Sequence, residues 1–382
     1  MQKTRLTFAV FAIMNFVLSM MAFVFSGILD QVAASLNISI ANSGLLSAMY
    51  SYGAALGAPI VLIVFRRFRR TRMLQAMLLV TILMTLVLVL ARSFAQLLVI
   101  RLVTGISANS YGVLAVSTVV ALSPKERLGR SMALLIMGSS LALVVGIPLT
   151  RALSAILDWR SIFWILNVLM LLSLIYFILR LPAGEHESAK VNLISELSYF
   201  KDRRIVRIIA YTLVMFAGYG AFYTYVTPYL LHLFPSMENV MSLILVLLGT
   251  ASFTGNLIGG HASDHIGYAK SMMIGAILQA VSMLLIFIAR PVPWLSVLFI
   301  LLWMMSAWFT GLQLNAGVAQ VTQNQSSFAL SINSSALQLG GAIGSSIAAL
   351  VISVSGIQNI VLIPLMMGFC ICLIGRLVIK TR

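Results

Sequence analysis

The sequence predicts an all-α integral membrane protein, with twelve transmembrane helices in two pseudo-symmetric halves of six. Three observations carry this expectation. Of 382 residues, 61% are hydrophobic and 9% are charged, whereas a soluble domain carries about 25% charged residues. So few charges cannot cover a water-facing surface, so most of the surface faces lipid. The apolar residues come in runs of the ~20 needed to cross a bilayer as a helix, and twelve such runs with short loops use nearly the whole chain. The chain also repeats itself: one constant shift brings Gly57 onto Gly255, Gly146 onto Gly344, the basic loop Arg66–Arg72 onto Asp264–Lys270, and Asp30 onto Pro228.

The first helix is expected at 6–28, after Lys3 and Arg5. Its apolar run is too long for a signal-peptide core and no small-residue cleavage site follows, so it is retained. Helices at 42–65 and 73–91 flank the basic loop. The fourth, 95–121, encloses Arg101, and the fifth, 131–153, holds Gly138, Gly146 and Pro148. The sixth, 160–180, follows Asp158 and Trp159, the latter suited to a membrane interface. The stretch 181–206 is the one polar segment of any length, with Glu185, Glu187, Lys190, Glu196 and Asp202. It reads as a cytoplasmic linker between residues 1–180 and 207–382, and Leu193–Phe200 within it suits a helix lying on the membrane surface. The second set is expected at 207–231, 239–261, 271–289, 294–319, 329–352 and 360–379.

The net charge of +16 does not mark a nucleic-acid binder, because the basic residues sit in short loops between apolar runs. Alternate loops hold all of the cations except Arg92, Arg151, Arg160 and Arg290 at the opposite ends and Arg101 inside a helix. That bias places both termini in the cytoplasm. Cys370 and Cys372 fall inside the last apolar run and read as small packing residues. His261 and His265 flank Asp264, but three potential ligands beside a membrane helix make a poor zinc site. No metal and no cofactor are expected.

The polar residues inside or beside the helices carry the chemistry. Asp264, one of nine acidic residues, lies in a glycine-punctuated loop, G-x-x-x-x-G-x-x-x-D-x-x-G-x-x-K, from Gly255 to Lys270 with Gly260 and Gly267 between. A carboxylate there can accept helix N–H groups or pair with a cation, and the alternative is a solvated loop charge. The aligned first-half position is Arg66, so only one such element is acidic. Arg101, some seven residues into its helix and so about 10 Å deep, needs a partner or a wet cavity; alternatively it snorkels to the surface. Asp30 offers three readings: a proton carrier, a partner for Arg151, or a surface charge. Asn15, Asn109, Tyr219, Tyr223, Trp303, Asn315, Asn333 and Gln338 lie in apolar runs, where amides and phenols must face the interior or one another. As a set they suggest a neutral, aromatic and amide-lined cavity. Individually each could equally be glue between helices.

These motifs resemble the major facilitator superfamily. The Gly255–Lys270 signature resembles that family's cytoplasmic loop between neighbouring helices, which implies a latch that forms in the outward-facing state. Arg101 with Gly105 resembles the R-x-x-x-G of the fourth helix in drug and solute antiporters. Gly138, Gly146 and Pro148 resemble the fifth-helix antiporter signature, implying a hinge or seal. T-Y-V-T-P-Y-L at 224–230 and S-x-N-S-S-A-L-Q-L-G at 331–340 are similar to bacterial sugar-efflux and purine-nucleoside-efflux members. Where several of those hold a first-helix carboxylate, this chain has about Ala22, so the familiar proton carrier is missing.

The resemblance implies a secondary transporter of the inner membrane that exports a small drug-, sugar- or nucleoside-like solute by proton antiport with alternating access, as a monomer. An uncoupled facilitator or importer, or a non-transporting sensor, remains open. No phosphate-binding loop of the nucleotide-driven kind is present, and the helices lack the cluster of acids, histidines and cysteines that a membrane enzyme needs.

Overall fold

The computed structural model describes all residues except 1, 65–67, 124–127, 183–198, 324–325 and 380–382. Among the described residues, eleven helical stretches are long and apolar enough to span a membrane, and the 25-residue helix Ile40–Val64 is taken as the twelfth crossing. In the first half these are α1 (Gln2–Leu36), α2 (Ile40–Val64), α3 (Arg70–Leu90) and α4 (Phe94–Leu122). The fifth crossing is α5 (Leu128–Leu141), a π-turn (Ala142–Gly146) and α6 (Ile147–Ser154), and the sixth is α7 (Trp159–Arg180). The second half opens with a crossing made of α8 (Arg203–Tyr223) and α9 (Val226–Leu233). It continues with α10 (Met241–Ile266), α11 (Tyr268–Ala289), α12 (Pro293–Val321), α13 (Ser327–Ser355) and α14 (Leu362–Ile379). The expected linker lies mostly outside the described residues, as does Arg66; of Leu193–Phe200 only Tyr199 and Phe200 are described, in a short turn.

Helix ends are set by local chemistry. Ser93 and Gln96 form a reciprocal capping box at the start of α4, satisfying two N–H groups that a helix leaves open. Asp158 accepts from Arg160 N at 2.8 Å before α7, and Asp202 does the same for Arg204 N before α8. The Asp202 carboxyl is held below its ordinary range by hydrogen bonds from the Arg204 side chain. Leucine, isoleucine and valine side chains left exposed on α3 and α7 face what is lipid in a membrane protein.

The duplication reappears in the packing. A Cβ on Gly57 would meet Ile106 O at 2.8 Å, and one on Gly255 would meet Met305 O at 2.2 Å, so the α2–α4 crossing has its counterpart in α10–α12. Gly146 lies against Met20 of α1, and Gly344 against the backbone of Ala217 in α8. The first helix of each half also breaks at an equivalent point. α1 kinks at Ile28 (φ −131°, ψ 20°), and α8 gives way to α9 at Thr224–Tyr225, just before Pro228.

Two expected boundaries change. The first helix continues to Leu36, so Asp30 is helical, two residues past the kink, and not at a helix end. The expected Asp264 loop is the last turn of α10, and the link to α11 shrinks to Gly267, whose φ of 79° favours glycine. Trp159 is buried, donating to Ser35 Oγ at 3.1 Å, and does not sit in an interfacial belt.

Candidate functional site

A cavity of about 390 Å³ lies between the halves at mid-depth. The first half lines it with hydroxyls and amides: Asn15, Ser19 and Ser26 from α1, Ser47, Tyr50 and Ser51 from α2, Asn109 from α4 and Ser139 from α5. The second half supplies an aromatic wall of Phe216, Tyr219, Tyr223 and Trp308, with Gln338 and Ser345 beside it. Among the described residues, no charged side chain lines the cavity.

The rings of the wall pack on one another. Tyr219 is stacked between Tyr223 (5.0 Å, 23°) and Trp303 (5.6 Å, 20°), with Phe216 and Trp308 packed edge-on. Trp303 is therefore support behind the wall and not a lining residue. Asn15 and Asn109 reach the cavity but also bond helices together: Asn15 donates to Leu135 O and Ser139 Oγ at 2.7 Å, and Asn109 to Ala54 O at 2.6 Å. Asn315 and Asn333 are off the cavity. Asn333 donates to Asn315 Oδ1 at 3.0 Å and accepts from Thr212 Oγ1 at 2.7 Å, tying α8, α12 and α13. The serines that line the cavity escaped the sequence reading. Ser47 and Ser51, four apart on one helix face, were the available signal.

Arg101 does not snorkel. It is fully buried, donating from Nε to Leu46 O at 3.1 Å and from Nη1 to Met21 O at 3.0 Å. Its guanidinium lies over the rings of Tyr50 (4.4 Å) and Phe25 (4.8 Å). Among the described residues no carboxylate pairs with it. The cation thus backs the cavity wall at Tyr50. Gly105, one turn on, lets α2 and α4 touch: its Cβ would fall 2.0 Å from Tyr50 O.

The two ends of the molecule differ. Call the side of the N-terminus the near side and the other the far side. On the far side Arg151, 3% exposed, binds Asp30 Oδ1 at 2.6 Å, accompanied by a bond to Gly27 O, and also binds Glu238 of the second half. Of the three readings of Asp30, the geometry is that of the Arg151 pair. From mid-depth to the far side the halves also bond through Thr227 to Ser26 O (2.8 Å), Tyr225 to Ala41 O (3.1 Å) and Ser345 to Gly44 O (3.3 Å). The far half of the fifth crossing, from the π-turn to Ser154, packs on α10, whereas α5 makes no comparable contact. Pro148 and Gly146 stand at that change of partner, and Gly138 further down fits α5 to α1, its Cβ position 2.3 Å from Ala12 O. On the near side Asp264 and Lys270 are exposed, and among the described residues Asp264 has no ion-pair partner. Gly260 has room around it, nothing nearer than Leu312 at 3.8 Å.

The family model of the Major Facilitator Superfamily matches residues 11–237 and 236–382. The chain is similar to an uncharacterized MFS-type transporter of Bacillus subtilis, 27% identical over 97% of this chain and 94% of that one. A probable sugar efflux transporter of Helicobacter pylori is 26% identical over 94% of each chain. Among solved structures it resembles a bacterial homolog of the human lysosomal transporter Spinster (TM-score 0.77, 12% identity, covering 100% and 98%). It also resembles the nucleoside transporter NupG (TM-score 0.76, 12% identity, covering 100% and 99%). This chain, a multi-pass membrane protein with the fold of those transporters, belongs to the major facilitator superfamily.

Proposed function

We propose that the protein is a secondary transporter of the bacterial inner membrane that exports a small organic solute of sugar or nucleoside type by alternating access, and that it is not an enzyme. The observation that carries this is, among the described residues, an uncharged cavity between two halves that bond to each other from mid-depth to the far side. A neutral lining favours uncharged or weakly cationic solutes over dianions, which would need clustered cations. The sugar-efflux names of the relatives favour a sugar. The loop charges favour both termini in the cytoplasm, and on that reading the near side is cytoplasmic and the conformation inward-facing. Asp264 then acts as a latch in the opposite state, once the near-side ends meet.

Proton antiport is the coupling we infer, with Arg101 tuning the proton path behind the Tyr50 wall. A facilitator without coupling is the second reading, favoured by the lack of any acid or histidine among the described residues that line the cavity. Purified monomer in proteoliposomes, screened against sugars, nucleosides and drugs with and without a pH gradient, tests both. Exchange of labelled solute without stimulation by the gradient would select the facilitator; binding without exchange would refute transport.

A further inference from the structure

Among the described residues, one ion pair crosses between the halves. Glu238 comes from the turn Pro235–Val240 that leads into α10, and it binds Arg151 of α6. The turn is anchored by Met237, 3% exposed, so the carboxylate is carried on a short, fixed support. Asp30 binds the same guanidinium from α1 and belongs to the same half as Arg151. The two carboxylates therefore have different duties, although they share one cation.

We propose that Glu238, Arg151 and Asp30 form a clasp that sets how much of the protein is closed at the far side, with Glu238 as the releasable arm and Asp30 as the resident counter-ion. The proposal rests on the alternating-access reading above. When the far side opens, Glu238 leaves with α10. A buried arginine stripped of its only partner is strongly unfavourable, but Asp30 stays and keeps Arg151 neutralised. Asp30 thus lowers the cost of opening, while Glu238 raises it. Loss of either carboxylate would look alike if the cluster served stability alone. In a clasp the two losses act in opposite directions. Glu238→Gln weakens the closed state. Asp30→Asn makes Glu238 the sole partner of Arg151 and strengthens it.

The test reads state and not flux. Nitroxide labels on Ile156→Cys and Val354→Cys, both exposed at the far end and in different halves, report the far-side distance by pulsed electron resonance in lipid nanodiscs. Cys370 and Cys372 are first replaced by serine. A second labelled pair on the near side reports the other end. The expected result is about a fivefold rise in the far-open population for Glu238→Gln, a fall below wild type for Asp30→Asn, and near wild-type populations for Glu238→Asp. Two states whose balance ignores Glu238→Gln, or moves the same way in both variants, overturn the clasp alone. A single state at both ends in every variant overturns the clasp together with the alternating-access reading.

Discussion

Replacing Arg101 by methionine separates structure from mechanism, because the energies around the guanidinium nearly cancel. The side chain makes two hydrogen bonds to main-chain oxygens, at 3.1 and 3.0 Å, each worth ~1.5–3 kcal/mol for a charged donor. Two ring contacts add ~0.5–2 kcal/mol apiece. Against this stands the cost of a cation inside a membrane bundle, about 2.5–3.5 kcal/mol on insertion scales and several times more by other measures. Methionine conserves most of the volume, and Leu46 O and Met21 O are helix carbonyls with amide partners of their own. The gains, about 4–10 kcal/mol, and the burial cost overlap in size, so Arg101→Met is expected to shift the melting midpoint by only a few degrees. Arg101→Ala should cost more, ~2–5 kcal/mol, because it adds a cavity. The expected outcome for Arg101→Met is a folded protein that binds solute yet loses uptake driven by a pH gradient in inverted vesicles. Intact coupling with a large drop in melting midpoint would refute the reasoning, since Arg101 would then be a structural brace only.

Other expectations follow from the same contacts. Gly146 and Gly344 are equivalent by sequence, but a Cβ on Gly146 meets the flexible Met20 side chain while one on Gly344 falls 1.8 Å from Ala217 O. Gly146→Ala should therefore give monodisperse protein on gel filtration, and Gly344→Ala should aggregate or lose yield. Asp264→Asn should leave membrane insertion intact and slow transport about fivefold, the worth of a partly exposed ion pair at ~1 kcal/mol; unchanged flux would remove the latch. Asp202→Ala should cost about 1 kcal/mol as a lost helix cap. Because the Asp202 carboxyl is lowered in the folded protein, its ionic contribution is present at neutral pH and fades as pH falls through that lowered value. The gap between wild type and Asp202→Asn in thermal melts should close in acid.

Much of the fold was legible because the bilayer imposes one rule on every crossing, a run of apolar residues, and a break in the run marks each loop. The rule says less where polar residues continue a helix. Asp30 and Gln31 read as an end, yet α1 runs on to Leu36. Ser263, Asp264 and His265 read as a loop, yet they form the last turn of α10. The cavity was half legible for a related reason. A buried amide satisfies the membrane equally well by touching solute or by bonding a neighbouring helix, so Asn109 and Asn333 look alike in sequence and part company only in three dimensions. Glu238 could not be found at all. Its meaning depends on Arg151, 87 positions away and in the other half, and a carboxylate between two helices has nothing local to announce it.

The π-turn at Ala142–Gly146 has a mechanical consequence. Gly249 of α10 lies against it main chain to main chain, with its Cβ position 2.3 Å from Leu143 O and 2.5 Å from Val144 Cα. Two backbones in contact have no side chains to slide or repack, so the point where they meet behaves as a fulcrum. The fifth crossing is then a lever with unequal arms, about 22 Å from Leu143 to its near-side end and about 16 Å to its far-side end at helical rise. A rocking of roughly ten degrees would move the near tip by about 4 Å and the far tip by about 3 Å. In the proposed rocking, the far arm carries the charged contact and the near arm the wider swing, so a small displacement at one face of the membrane would be delivered enlarged at the other.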